Sequence, residues 1–491
     1  MNDDKILNGV LDEFRSIAAI PRPSGHEKKI SDYLKNEFSA IGCIVVQDES
    51  NNIIADLPAS SGKENAPLTI LQSHMDMVCV ADTGVKYSPL DDPIKLIENE
   101  EYLCADGTSL GSDDGTGIAE ILYVFKNVKN HGPLRAIITV DEEVGMTGAR
   151  NLDAKYLLDA EYYLNCDNEE DDLLTVASAG NVGIEYHRHI KWHDAHERRH
   201  SESAVSYEVK VSGLLGGHSG ERIGDGRGNA IRVLAQMILG LREANIDFDV
   251  SKIEGGTARN AIPATASMVI VTCAGKGAII EVAETMKKRF LRAYGKAEKD
   301  ISIDVGEANF PERVMDEEDA VSFAELVAIL HTGIFAMFKE YPGLIETSAN
   351  IGIARTEGDK LWLSYFARSG IEEKLESFRR QGKILGKRFG FDIVADEPSP
   401  VWEANSKSVL VRIVTDVYNE QHDNKMRVES IHAGLECSYM MKKNPNIDIV
   451  SIGVTTLDIH SPKERLVLAT VASQVRLIMG TLERIAAMEK K

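Results

Sequence analysis

The sequence predicts an α/β protein built on a mostly parallel sheet, with a second, α+β region inserted into it. Three observations carry this. Up to residue 186 and again after 400, short apolar runs alternate with amphipathic stretches, the rhythm of a parallel sheet covered by helices. Acidic and imidazole side chains recur just after the apolar runs, at the strand ends where open α/β sheets place their sites. Between the two outer regions the pattern changes to strand, helix, strand, strand, helix, and this order occurs twice.

The elements follow in turn. ILNGVLDEFRSIAA and HEKKISDYLKNEFSAI carry apolar residues at helical spacing, and CIVVQDES and NNIIADLPA read as strands joined by a polar turn. APLTILQSHMDMV is an apolar strand with a polar exit, GIAEILYVFKNV a helix, and PLRAIITVDEEVG a buried strand ending in acids. KYLLDAEYYLNCDNEE reads as a helix or turn leading to another strand that ends in acids. HRHIKWHDAHERRH is very polar and histidine-rich. Beyond it, SYEVKVSGL, NAIRVLAQMILGLRE, IDFDVSKIEG, TASMVIVTCAG and AIIEVAETMKKRFLRAYG form the first five-element set. The second set opens on ISIDVGEANF and closes on IEEKLESFRRQGKILGKRFG, suggesting two similar lobes. After the linker ADEPSP come a helix in SKSVLVRIVTDVYNEQH, a strand in NPNIDIVSIGVT and a long terminal helix in ERLVLATVASQVRLIMGTLERIAAM. One or two strands cannot build a core of their own. Residues 1–186 and 400–491 are therefore assigned to one discontinuous domain, and 187–399 to a second domain inserted into it.

Composition narrows the function. The chain has 491 residues, 43% of them hydrophobic, enough for sizeable cores, and its formal charge of -22 repels phosphate backbones and anionic lipid surfaces. Nucleic acid and membrane partners are not expected. The start MNDDKILNGVLDEF has acids where a signal peptide needs basic residues. No apolar run approaches the roughly 18–20 residues of a membrane span. The six cysteines are scattered without C-x-x-C spacing, as expected of reduced thiols in a cytoplasmic protein.

The chemistry-bearing residues lie far apart in the chain. His74 and Asp76 stand two apart in LQSHMDMV, where a carboxylate can orient an imidazole that ligates a metal; alone, such a pair is more often a surface histidine beside an acid. Asp106, Asp113 and Asp114 lie in DGTSLGSDDGTG, which fits neither an EF-hand loop nor a nucleotide-binding glycine pattern. In IITVDEEVGMTGAR an apolar strand ends in Asp141, Glu142 and Glu143, a concentration of like charge that needs solvent, protons or cations. Asp167 follows another strand end, and His460 stands in TTLDIHSPKERL. Two imidazoles with several carboxylates suit zinc, cobalt or manganese. Chemistry alone thus reaches an acidic metallohydrolase and does not choose a substrate.

SHMDMV, DGTSLGSDDGTG, TVDEEVGMTGAR, NCDNEE, GLLGGHSG, RNAIPA, IHAGLEC and DIHSP, in this order, resemble the two-zinc peptidases that include tripeptidases, carnosinases and aminoacylases, over nearly the whole chain. The resemblance is greatest to a branch cleaving unblocked dipeptides, Xaa-His dipeptides included. It implies two divalent metal ions, most readily zinc, with Asp113 bridging, His74 and Asp167 completing one site and Glu143 and His460 the other. Glu142 becomes the general base acting on a water between the ions, and Asp76 supports His74. In the inserted region the resemblance places His218 near the reacting carbonyl and gives Asn260 and Arg368 the substrate carboxylate. His432, Gly434 and Glu436 fall in a loop facing the substrate. A homodimer is left open by the resemblance, because the second lobe can imitate a partner's lid. Two other readings stay open: an N-acyl amino acid amidohydrolase, and a non-catalytic zinc- or peptide-binding protein.

Overall fold

The computed structural model describes residues 2–198, 203–339 and 343–490, so the end of the histidine-rich stretch lies outside the described residues. The chain divides into two compact units. The first comprises Met1–Ser178, Trp402–Ile431 and Leu435–Lys491, and the second Ala179–Val401 and His432–Gly434.

The first unit is organised by an eight-stranded sheet. Four neighbouring strands, Leu134–Thr139, Thr69–His74, Tyr162–Asn168 and Asp448–Gly453, run parallel. Strand Ile53–Leu57 joins Leu134–Thr139 antiparallel and is followed by Ile44–Gln47; on the other side lie Leu173–Ser178 and Arg427–Ile431. Successive residues of the parallel strands face opposite ways, and here both faces are apolar. Leu71, Ile138, Leu164 and Val450 enter one core with Phe14, Ile121, Val414 and Val475 from helices Asp3–Ala18, Ser112–Asn127, Val409–Gln421 and Leu468–Ile485. Their neighbours Ile70, Ile137, Tyr163 and Ile449 enter a second core with Ala149 and Met440. A sheet covered on both sides has to read as continuous apolar runs, which is why LTILQ and LRAIIT do. At Gly453 a Cβ would lie 1.7 Å from the Asn168 carbonyl oxygen, so only glycine lets this strand pass so close to its neighbour.

The C-terminal part contributes more strands than the sequence pattern indicates. Arg427–Ile431 joins the large sheet, while Thr456–Leu457 and Arg465–Val467 form a hairpin within a small four-stranded sheet. Runs of two or three residues are too short to show a period of two, and Arg465–Val467 therefore merges with the helical pattern that follows it.

The second unit is a nine-stranded antiparallel sheet carrying the helices Ala230–Glu243, Lys276–Tyr294, Glu317–Ile329 and Glu372–Arg388. It consists of two four-stranded halves of like order, joined where Phe248–Gly255 meets Ile345–Glu357 antiparallel, plus Gly333–Met337, which pairs with Ile345–Glu357. One half is ordered Ser302–Glu307, Val205–Ser212, Ala266–Thr272, Phe248–Gly255. The other runs Ile345–Glu357, Lys360–Ser369, Gly180–His189, Asp392–Ala395. The pattern that opened the second lobe at ISIDVGEANF is corrected here. Ser302–Glu307 is the outer strand of the first half, paired with Val205–Ser212, and the strand that opens the second half is Gly180–His189. One half is thus nested in the sequence of the other. Periodicity identifies a strand but not its partner, which side-chain fit across the sheet decides.

The six cysteines form no disulfide. No helix of the described residues is long and apolar enough to cross a membrane.

Candidate active site

The carboxyl ends of the parallel strands, with the loops that follow them, gather the acids and histidines of the first unit. His74 is the last residue of its strand, Glu142 and Glu143 open a single helical turn, Glu142–Gly145, after Leu134–Thr139, and Asp167 lies near the end of Tyr162–Asn168. His460 sits in the loop of the Thr456–Leu457 and Arg465–Val467 hairpin, and Asp113 lies in the first turn of Ser112–Asn127. Asp113 and Asp114 depart from helical backbone angles, which turns their side chains away from the directions a regular helix would give.

Asp113 is the centre of the arrangement. Its Oδ1 lies 3.0 Å from His74 Nε2 and its Oδ2 3.1 Å from His460 Nε2. His74 Nε2 is also 3.3 Å from Asp167 Oδ1, and His460 Nε2 is 3.0 Å from Glu143 Oε1. One carboxylate therefore presents each oxygen to a separate pair of one imidazole and one acid. Asp76, fully buried, organises the surroundings: it accepts the N–H of Glu142 at 3.0 Å, the N–H of Glu143 at 3.2 Å and the Ser24 hydroxyl at 2.8 Å. Its Oδ1 is 3.4 Å from His74 Nδ1, so Nε2 is the nitrogen turned to the cluster.

The electrostatics point to a cation site. Burial opposes a charged His74, yet Asp167, Asp113 and Asp76 hold its pKa well above the ordinary imidazole value. Hydrogen bonds donated to the Asp113 and Glu143 carboxylates push His460 up to about 11. Burial would raise Asp113, but the two imidazoles outweigh it and hold this carboxyl well below the usual range. Burial pushes Asp167 up to about 6. Glu142 is pushed well above the carboxylate range by burial, with Asp167, Glu436 and Glu143 adding to the effect and His74 opposing it. Crowded carboxylates with raised pKa values are what two divalent cations would relieve. Some of the donor atoms could hold an ion: those of His74, Asp113 and Glu143 lie within 4.8 Å of one another, as do those of His74, Asp114 and Asp167, two groups that share His74. Nitrogen and oxygen donors at this spacing suit zinc, cobalt or manganese.

Asp114 was not in the expected ligand set. Its Oδ1 accepts the Gly117 N–H at 3.2 Å while its buried Oδ2 finds no partner. Glu436 is fully buried beneath the strand ends, its Oε2 accepting from Gln72 Nε2 and Thr139 Oγ1, each at 2.6 Å, and burial pushes it up to about 8. The sequence shows the motif at Glu436 but nothing of this depth.

The other expected residues lie in the second unit. Arg368 is buried, its Nη2 3.4 Å from His218 Nε2 and its Nε without a hydrogen-bond partner. Desolvation lowers its pKa to about 10. His432 Nε2 meets the Ser348 hydroxyl at 2.7 Å, and burial pulls this imidazole down to about 4, keeping it neutral. Ser348 is the register partner of Arg368, and His218 that of Ala261, next to the exposed Asn260. Gly220 approaches all three groups: a Cβ there would lie 2.8 Å from His432 O, 3.1 Å from His218 Cε1 and 3.4 Å from Arg368 Cζ. Gly434 lies in the short 432–434 segment of this unit.

Residues 70–484 match Peptidase family M20/M25/M40. The chain belongs to that peptidase family. Among its relatives is the cytosol non-specific dipeptidase of Escherichia coli (strain K12), 30% identical over 97% of both chains. Of the solved structures, the aminoacylhistidine dipeptidase of Vibrio alginolyticus superposes with a TM-score of 0.88 at 30% identity, covering 98% of this chain and 97% of that one. The aminopeptidase PepT of Bacillus cereus ATCC 10987, with a TM-score of 0.57 at 17% identity over 98% and 99% of the two chains, shares the fold.

Proposed function

We propose that this chain is a metal-dependent dipeptidase that hydrolyses the peptide bond of unblocked dipeptides, Xaa-His dipeptides among them, in the cytoplasm. The observation that carries the reading is Asp113 set between two imidazoles, each with its own second carboxylate. The names of the two relatives at 30% identity, a cytosol dipeptidase and an aminoacylhistidine dipeptidase, favour this substrate class and compartment.

In this reading His74 and Asp167 would hold one ion and Glu143 and His460 the other, with Asp113 contributing to both; zinc is the first choice, with cobalt or manganese as alternatives. When bound, the two ions supply Lewis acidity and a water acidic enough to attack near neutral pH. Glu142 would accept a proton from the attacking water and deliver it to the leaving amine. Asp76 holds the Glu142 and Glu143 amides and aligns His74. In the inserted unit, Arg368, with Asn260, receives the substrate's C-terminal carboxylate, since a desolvated guanidinium with an unused donor suits a planar anion. His218 and the neutral His432 flank that arginine as polar partners, and Gly434 and Glu436 belong to the loop proposed to face the substrate.

The test is a panel of unblocked dipeptides and N-acyl amino acids assayed before and after chelation, with metal analysis. Hydrolysis of the dipeptides, lost on chelation and restored by zinc, is expected. Cleavage confined to N-acyl amino acids would make the chain an amidohydrolase, and zinc uptake with no cleavage a binding protein. Arg368→Ala is expected to raise KM for dipeptides about 10- to 100-fold, the worth of one charged hydrogen-bonding partner, and to change KM little for amidated dipeptides. An equal effect on both substrates would make Arg368 a structural residue.

A further inference from the structure

The peptide unit of Gly111, two residues before Asp113, is gripped from both sides by buried ionic side chains. Its N–H donates to Glu464 Oε2 at 3.0 Å, and the same oxygen accepts the Leu110 N–H at 2.8 Å. Glu464 Oε1 accepts the Ser112 N–H at 2.7 Å. The Gly111 carbonyl accepts from Arg22 Nη2, while Arg22 Nη1 donates to the carbonyls of Met75 at 3.1 Å and Asp76 at 2.9 Å. Arg22 is 1% exposed and Glu464 3%. The loop is moulded around them: Gly111 has a φ of +70°, and a Cβ there or at Gly115 would lie 2.5 Å from Arg22 Nη2.

These contacts join three separate segments. Arg22 ties the exit of the His74 strand to the loop that carries Asp113. Glu464 ties that loop to the hairpin that carries His460, since both His460 and Glu464 lie between its two strands. Neither side chain is placed among the metal-binding groups; both act on main-chain atoms beside them. A single carboxylate accepting four successive N–H groups, from Leu110 to Asp113, the last at 3.4 Å, fixes the direction of the backbone as a neutral side chain with one acceptor oxygen cannot.

We propose that Glu464, with Arg22 as its counterpart, is a positioning residue that sets the separation of Asp113 from His460 and thereby the affinity of the site for its metal. The proposal rests on the reading of Asp113 and His460 as ligands of one ion. Glu464→Gln keeps the shape and one acceptor oxygen but turns an amide N–H2 toward a backbone donor.

The experiment titrates the chelator-stripped full chain with zinc against a chromophoric chelator and records thermal unfolding of the metal-free protein. Glu464→Gln is expected to bind zinc about 10- to 100-fold more weakly, as for other groups that orient ligands from outside the coordination sphere, with the metal-free Tm shifted by only a few degrees. Zinc affinity within threefold of the parent chain overturns the proposal, and so does a fall in metal-free Tm with unchanged affinity in the folded protein, which would mark a plain structural brace. If Glu464→Gln does not fold, the same titration of Glu464→Asp decides, because retracting the carboxylate by one methylene must also weaken zinc binding. A parent chain that binds no zinc overturns the metal-centre reading itself, and the proposal with it.

Discussion

Glu142→Gln is expected to lower kcat by about 10²- to 10⁴-fold, the usual contribution of a positioned general base, with zinc content unchanged. Glutamine keeps the size of the side chain and leaves undisturbed the main-chain bond from residue 142 to Asp76. It removes only the capacity to accept a proton. Single-turnover kinetics on a zinc-replete sample, with metal analysis alongside, provides the check. Turnover close to that of the parent chain would remove Glu142 from the chemistry, whereas loss of zinc would show that it holds the metal as well.

Asp113→Asn is expected to cost more than the 10- to 100-fold typical of residues outside the coordination sphere, because it removes the one charge shared by both halves of the cluster. The substituted amide would still face His74 and His460 but could offer an acceptor oxygen to only one side. Zinc bound per chain should fall below two and dipeptide hydrolysis should drop to background. Asp114→Asn is the control: its Oδ1 accepts a helix N–H, a role an amide oxygen can take over. If Asp114→Asn proves the more damaging, the shared carboxylate is Asp114, whose donor atom also groups with His74 and Asp167.

The sequence reveals the large sheet and the acids at its strand ends because long apolar runs with polar exits are local signals. The parallel strands and the Ser112–Asn127 helix are legible in that way, whereas the grouping of His74, Asp113, Glu143, Asp167 and His460 comes from the resemblance of the motifs and not from local pattern. The other three C-terminal strands, Arg427–Ile431, Thr456–Leu457 and Arg465–Val467, are less so, two of them being too short to alternate visibly. The nested order of the inserted sheet is hidden because pairing partners are remote in the chain. Arg22 and Glu464 escape notice for another reason. A buried charge that serves backbone atoms looks, in the sequence, like any surface charge; Arg22 is marked only by the prolines on either side of it, and Glu464 only by its nearness to His460. The depth of Glu436 depends on Gln72 and Thr139, which come from two other strand regions.

The nesting of one half-sheet within the other also constrains how the chain acquires its shape during synthesis. Val205–Ser212 can meet all of its neighbours once the ribosome has released Ser302–Glu307. Gly180–His189, although made earlier, has to remain unpaired until Lys360–Ser369 emerges. The inner half can therefore be complete while Gly180–His189 still lacks its partner, and closing that longer loop carries the larger chain-entropy cost.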